Sequence, residues 1–319
     1  MGQEEFSFKT SYNEVVYGNK WLIKEPKANV VIVHGMAEHS LRYDEFALYL
    51  NSLGFDVYAV DQPGHGKNIS KADKPVRAYG EWPKDGFDLA VKQVDEEVDY
   101  LHSISDKKIL VFGHSMGSFI TQRYYQLHSE KIEAAVICGS SFNNATYRFS
   151  NVLAHVMNVF ILPSCKNHPS KFFPNVQNMA FNAGSPKHFS DGYTSNNRWI
   201  SYNEENVRKY DLDSECGYAC SFNFYYSLFA GLQKTFNKAN LSKIKVNRDL
   251  LIISGEKDPV GGNGKYIKEL AKFYKNDKAE VKMILYPNMK HEILNEKGHE
   301  KVEKDVGEFL LNVLNKQAK

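Results

Sequence analysis

Cysteine is scarce in this chain, with Cys138, Cys165, Cys216 and Cys220 the only thiols in 319 residues. None stands in a CxxC pair, and a chain of this length buries enough surface to fold without covalent staples, so a disulfide framework is excluded and a reducing compartment is expected. Long apolar runs are missing as well. The longest, 152–162, falls well short of the roughly 20 residues that a bilayer-spanning helix needs. Nor is there an excess of one charge: 40 Lys and Arg against 38 Asp and Glu leave +2, and the signs interleave, which speaks against nucleic acid as a partner. The opening MGQEEFSFKT has neither the basic nor the apolar region of a secretory signal, and Phe6 stands where a myristoylation motif wants Ser or Thr. A cytoplasmic protein is the expectation.

What is present is 42% hydrophobic and 13% aromatic residues, enough for one large α/β domain with an insertion or for two domains. Phe6, Phe8, Val15, Tyr17, Trp21 and Ile23 read as antiparallel edge strands turning at Gly18 and Asn19. The pattern then changes to short apolar runs at 30–33, 57–60, 109–112, 134–138, 250–253 and 281–286, the signature of strands buried on both faces. Between most of them lie helical periods, such as Phe87, Ala90, Val91, Val94, Val98 and Leu101. Strand alternating with helix predicts a mostly parallel central sheet flanked by helices, with functional loops at the carboxyl ends of the strands. The alternation stops between residues 140 and 240, where buried-strand runs vanish and Pro163, Pro169, Pro174 and Pro186 punctuate the segment. The expectation is a core of residues 1–139 and 241–319 with an inserted helical cap over 140–240.

The strongest local signal is Gly113-His114-Ser115-Met116-Gly117, directly after one strand run and before a helical one. A serine on so sharp a strand-to-helix turn has strained backbone angles, and the positions two before and two after it must be small. Serine is a weak nucleophile unless a histidine takes its proton, and that histidine needs a carboxylate to fix its tautomer. Asp258 follows the strand run at 250–253 and His291 follows that at 281–286, so acid and base arrive in order at two consecutive strand ends. Glu256 and His299 compete for these roles, but Glu256 lies too close to its strand and His299 falls beyond the last loop. The oxyanion that forms on acyl transfer needs two backbone N–H donors, expected from Met116 and from Met36 in the loop His34-Gly35-Met36-Ala37-Glu38-His39. Gly35 and His39 are candidate substrate contacts, although for Glu38, His39 and Arg42 the favoured reading is a pair that fixes the loop's shape. Asp61-Gln62-Pro63-Gly64-His65-Gly66 lacks the phosphate-loop pattern and reads as packing.

These segments together resemble the α/β-hydrolase superfamily, and within it the monoacylglycerol lipase and lysophospholipase branch. The residues that carry the resemblance are HGMAEHSLRY at 34–43, DQPGHG at 61–66, GHSMG at 113–117, SGEKDPVG at 254–261 and YPNMKHEILNE at 286–296. The stretch at 198–218 also resembles bacterial members called lysophospholipases. Met36 stands where mammalian monoacylglycerol lipases carry a small residue. The resemblance implies the α/β-hydrolase fold, an acyl-enzyme on Ser115, a small-molecule acyl ester as substrate, and neither metal nor cofactor. Relatives that open epoxides or remove halogen carry Asp where this chain has Ser115.

Val152, Leu153, Val156, Met157, Val159, Phe160, Ile161 and Leu162 make the insert greasy on several faces. Val152, Val156 and Phe160 are candidates for an acyl channel, and the same run is a candidate for transient contact with a membrane surface. A second cluster, Phe222, Phe224, Tyr225, Tyr226, Leu228 and Phe229, carries the same two readings of core or channel. Two other functions remain open. Acidic cap residues Glu204, Glu205, Asp211, Asp213 and Glu215 could hold a substrate amine, as in the related proline iminopeptidases, and a hydrolase-derived binding protein could keep the triad without turnover.

Overall fold

The computed structural model describes residues 2–316 apart from 73–74, 144, 162–164, 184 and 187. The chain opens with a hairpin of β1 (Gln3–Lys9) and β2 (Val15–Trp21), followed by β3 (Ala28–Val33), α1 (Asp44–Leu53), β4 (Phe55–Val60), the short α2 (Lys67–Ser70) and α3 (Gly86–Ile104). Next come β5 (Ile109–His114), α4 (Met116–His128) and β6 (Ala134–Cys138). Four helices follow without an intervening strand: α5 (Ala145–Phe160), α6 (Phe172–Phe181), α7 (Glu204–Leu212) and α8 (Phe222–Thr235). The core resumes with β7 (Asp249–Gly255), α9 (Lys265–Tyr274), β8 (Val281–Tyr286) and α10 (Glu300–Lys316).

All eight strands join one sheet in the order β1-β2-β4-β3-β5-β6-β7-β8. β1 with β2 and β2 with β4 are antiparallel, and from β4 to β8 every pair is parallel. Because side chains alternate across a strand, the apolar runs feed two cores. Val31, Val33, Val111, Ile137 and Ile252 face α3, α4, α8 and α9, while Val30, Ile32, Leu110, Val136 and Leu251 face α1 and α10. β8 is the exception to full burial, being an edge strand that is half covered.

The hairpin does not turn at Gly18 and Asn19 as the sequence suggests; it turns at residues 10–14, where Asn13 takes φ 69°. Gly18 lies inside β2 because the strand passes close to β4. A Cβ there would come within 2.3 Å of the Ala59 carbonyl oxygen, which no side chain permits.

Between β6 and β7 the one strand-like contact among the described residues is an isolated bridge of Pro169 with Ser221. α8 starts at a cap in which Ser221 Oγ accepts from the Phe224 N–H, and it packs into the layer beside the sheet. Phe224 lies with its ring centroid 4.1 Å from that of Trp82, and Ser227 Oγ accepts from the Phe87 N–H at 2.8 Å. α5, α6 and α7 lie over the carboxyl end of the sheet, where their residues join loop residues around one cavity.

Candidate active site

Ser115 stands between β5 and α4 with φ 53° and ψ −121°, a conformation L-residues rarely adopt. Its neighbours explain how the chain tolerates it. A Cβ on Gly113 would lie 2.3 Å from Thr121 Oγ1, and one on Gly117 would lie 2.0 Å from the Val33 carbonyl oxygen. The turn is braced by the Ser115 N–H donating to the Cys138 carbonyl at 3.0 Å and by Ser118 Oγ donating to the Ser115 carbonyl at 2.6 Å.

The structure brings Ser115, His291 and Asp258 together. Ser115 Oγ lies 2.8 Å from His291 Nε2, and His291 Nδ1 lies 3.0 Å from Asp258 Oδ2. Asp258 is fully buried and accepts further from Ser254 Oγ at 3.0 Å and from the Val260 N–H at 2.8 Å, so its orientation is fixed from three sides. Glu256 is exposed, and His299 turns away to Glu45. Met36, Met116 and Gly35 all line the cavity into which Ser115 opens.

The loop after β3 is held by a knot of buried charge. Arg42 donates twice to Glu292, at 2.7 and 2.8 Å, once to Glu38 at 2.6 Å, and to Asn206 of α7 at 3.2 Å. Glu38 Oε1 in turn accepts from the Gly35 N–H at 2.5 Å and from the Tyr43 hydroxyl at 2.9 Å, beside His114 Nδ1 at 3.3 Å. Burial alone would raise the Glu38 carboxyl, but His114 and Arg42 outweigh it and hold it well below the ordinary value. The Glu292 carboxyl is likewise lowered, with Arg42 overcoming burial. His114 is the reciprocal case: burial pulls its imidazolium down, and Glu38 more than reverses this. The knot therefore ties the loop before Ser115, the residue after His291 and the cap to one guanidinium. His34, fully buried and pulled down chiefly by desolvation, accepts from the Gln62 N–H at 2.8 Å, which fixes the 61–66 turn beneath the same loop.

The cavity walls come from helix faces with clean periodicity. α6 contributes Pro174, Gln177, Asn178 and Phe181, and α8 contributes Tyr225, Leu228, Phe229 and Leu232. Phe119, Tyr147, Trp199, Tyr218 and Val260 add apolar surface, while Asn197, Tyr210 and Glu292 add polar groups. Trp199 lies with its ring centroid 5.0 Å from that of His291.

Four residues expected at the substrate do not line this cavity. Val152, Val156 and Phe160 fall on the outer stripe of α5 and are exposed, because a 3.6-residue period turns Ala154, Met157 and Ile161 inward instead. His39 is buried in an ion pair with Asp213 at 2.8 Å and does not line the cavity. Leu162 and Pro163, and the side chain of Val159, lie outside the described residues. Trp199 and Asn197 are not marked in the sequence, since they sit in an irregular stretch of the insert with no period to place them, and Asn178 is a polar residue on an α6 face that the sequence gives no reason to single out. The spacing of Tyr225, Leu228, Phe229 and Leu232 on one helical face was the available signal for the α8 wall.

A sharply turned serine on a mostly parallel sheet, with acid and base delivered by later strand ends, defines an α/β-hydrolase. The particular family follows from comparison. The profile described as "Serine aminopeptidase, S33" matches residues 24–298, and the chain belongs to that family. Its relatives place it on the monoacylglycerol-lipase-like branch. It is 26% identical over 297 residues to the monoacylglycerol lipase of Mycolicibacterium smegmatis, a match covering 91% of this chain and 90% of that protein. It is 37% identical over 111 residues to a monoglyceride lipase homolog of Monkeypox virus, but that match covers only 34% of this chain and 37% of the viral protein. Among solved structures, a thermostable carboxyl esterase from Bacillus coagulans superposes with a TM-score of 0.86 at 22% identity, over 98% of this chain and 99% of that one. A soluble variant of monoglyceride lipase from Saccharomyces cerevisiae superposes with a TM-score of 0.69 at 16% identity, over 98% and 95%. At these identities the likeness is one of fold.

Proposed function

We propose that this protein hydrolyses carboxylic esters of monoacyl lipids, monoacylglycerols or lysophospholipids, through an acyl-enzyme on Ser115, with residues 140–240 acting as a cap over a core of 1–139 and 241–319. The observation that carries this reading is the Ser115–His291–Asp258 relay opening onto a cavity whose walls are mostly aromatic and aliphatic with a few amides and carboxylates. His291 takes the proton as Ser115 Oγ attacks the ester carbonyl, and Asp258 accepts from Nδ1–H and stabilises the imidazolium. The tetrahedral oxyanion is met by the N–H groups of Met36 and Met116. His291 then returns the proton to the departing alcohol, and water releases the acid by the same steps in reverse order. Each acyl methylene buried against the apolar walls contributes about 0.8 kcal/mol, which favours long monoacyl chains over short esters.

The amine-binding alternative lacks an anchor. Glu204 bonds Ser190, Glu205 pairs with Lys209, Asp211 accepts from Tyr193 and Asn197, Asp213 pairs with His39, and Glu215 accepts from Tyr79. None of the five lines the cavity, and Glu38 and Glu292, which do, are both engaged by Arg42.

A lipid surface as transient partner is supported by the outer faces of the same helices. Phe149, Val152, Val156 and Phe160 of α5 and Phe172, Val176 and Met179 of α6 are exposed, and α6 turns its opposite face to the cavity. No described helix is long and apolar enough to cross a membrane, so such contact is made from the side.

The deciding experiment is intact-protein mass spectrometry after a fluorophosphonate probe, on the wild type and on Ser115→Ala, followed by turnover of monoacylglycerol, lysophosphatidylcholine, short p-nitrophenyl esters and prolyl amides. One adduct on Ser115, lost in the variant together with at least about a 10⁴-fold fall in ester turnover, is the expected result. A folded wild type that takes no adduct, or a variant that still turns over esters, defeats the proposal.

A further inference from the structure

His39 and the Asp213–Cys216 turn are far apart in sequence and lie together where the cap meets the loop after β3. His39 Nε2 is 2.8 Å from Asp213 Oδ2, and one ligand atom of each of the three residues lies within 4.8 Å of those of the others. His39 and Cys216 are buried, while the Asp213 side chain is about one-third exposed. The geometry is held by backbone bonds. The Cys216 N–H donates to the Asp213 carbonyl at 3.0 Å, closing a turn that aligns both side chains, and the Gly217 N–H donates to the Ala37 carbonyl at 2.9 Å, pinning that turn to the His39 loop.

We propose that these three side chains form a binding site for a thiophilic divalent cation, zinc being the best match, which straps the cap to the loop after β3. Imidazole, carboxylate and thiolate are the donor set that zinc accepts, at about 2.0–2.3 Å from the metal, and in tetrahedral coordination this sets donors about 3.3–3.8 Å apart. The ligand atoms lie up to 4.8 Å apart, so binding draws the three side chains together. A water is expected in the fourth position, Asp213 being the partly exposed member of the three.

The surrounding charge suits a cation. Burial is the largest influence on the Cys216 thiol and disfavours its ionisation, and of the charges around it Arg42 stands against Asp213, Glu38 and Glu292. On binding, the Cys216 S–H bond breaks and its proton goes to solvent as the sulfur–metal bond forms. His39 Nε2 gives up to solvent the proton it donates to Asp213, Nδ1 takes one up so that the ring stays neutral, and the His39–Asp213 hydrogen bond gives way to two metal–ligand bonds. His39 follows Met36 by three residues, so an occupied site also restrains the loop that carries one proposed oxyanion donor. The site takes no part in ester chemistry and stands or falls independently of it.

The test is an optical titration of the full chain with cobalt(II), followed by competition with zinc. The wild type is expected to develop a thiolate-to-cobalt charge-transfer band saturating at one equivalent and to lose it when zinc is added. Cys216→Ser should abolish the band, and His39→Gln and Asp213→Asn should weaken cobalt binding at least about tenfold. Cys165→Ser, at an exposed position elsewhere, should leave the band intact. Circular dichroism melting identifies variants that fail to fold, and if Cys216→Ser is one of them the two variants that keep the thiol carry the test. No band in the folded wild type, or a band unchanged in Cys216→Ser or in Asp213→Asn, overturns the proposal.

Discussion

Arg42 is surrounded by Glu38, Glu292 and Asn206, and its removal would strand the buried Glu292 carboxylate and leave Glu38 with His114 alone. A buried pair broken from one side typically costs about 3–5 kcal/mol. Arg42→Met is therefore expected to lower stability by that amount in chemical denaturation, and to do so with Ser115, His291 and Asp258 all present. A loss under about 1 kcal/mol would show that the knot is incidental to the loop's shape. Ser115, Asp258 and His291 were legible in the sequence because each arrives at the end of a strand whose apolar run is unmistakable. The pairing of Arg42 with Glu38 inside the loop was legible too, but its distant partners were not, since Glu292 and Asn206 lie 250 and 164 residues away and nothing local marks them. His39 shows the limit from the other side: its place in the right loop suggested substrate, whereas its ring is engaged by an aspartate from the cap.

At the scale of elements, the apolar run of α5 was read as one property and is two. Ala154 is buried under the helix while Phe160 is 80% exposed, and composition alone cannot assign faces until the helix phase is known. If the outer stripe meets lipid, Val156→Glu with Phe160→Glu should reduce co-sedimentation with anionic and zwitterionic vesicles severalfold while leaving hydrolysis of a soluble short ester unaltered. Equal vesicle binding by variant and wild type would remove the membrane contact and leave the esterase reading standing. The parallel strands and the amphipathic α3 and α10 were legible because periods of two and 3.6 are strong over such lengths. The β1–β2 turn was misplaced because a glycine that admits a neighbouring strand looks, in sequence, like one that makes a turn.

Across the whole molecule, titration enters through the core as well as the site. Glu97 of α3 is fully buried, with the Val60 N–H at 3.3 Å as a partner for Oε1 and none for Oε2 among the described residues. Burial pushes its carboxyl up to about 8. A folded-state value raised above the ordinary 4.5 means that this residue's contribution is fully present below pH 4.5 and is lost as pH rises through about 8. Glu38 and Glu292, both lowered, act in the opposite sense and withdraw their support as pH falls below 4.5. Glu97→Gln should therefore raise the melting temperature relative to wild type at pH 9 by a few degrees, an effect on the order of 1–3 kcal/mol, and change it little at pH 5. A variant no more stable than wild type at pH 9 would contradict the assignment. The charge knot around Arg42 also divides the insert. α7 is fastened to the core through Asn206, Tyr210 and the neighbouring Gly217, and α8 is built into the layer beside the sheet. No salt bridge among the described residues joins α5 or α6 to the core. Those two helices are held instead by apolar packing, Ala154 and Met157 of α5 and Phe173 of α6 joining the cluster that holds Phe222, Tyr225 and Leu228 of α8, so the attachment of that side of the cap is insensitive to ionic strength.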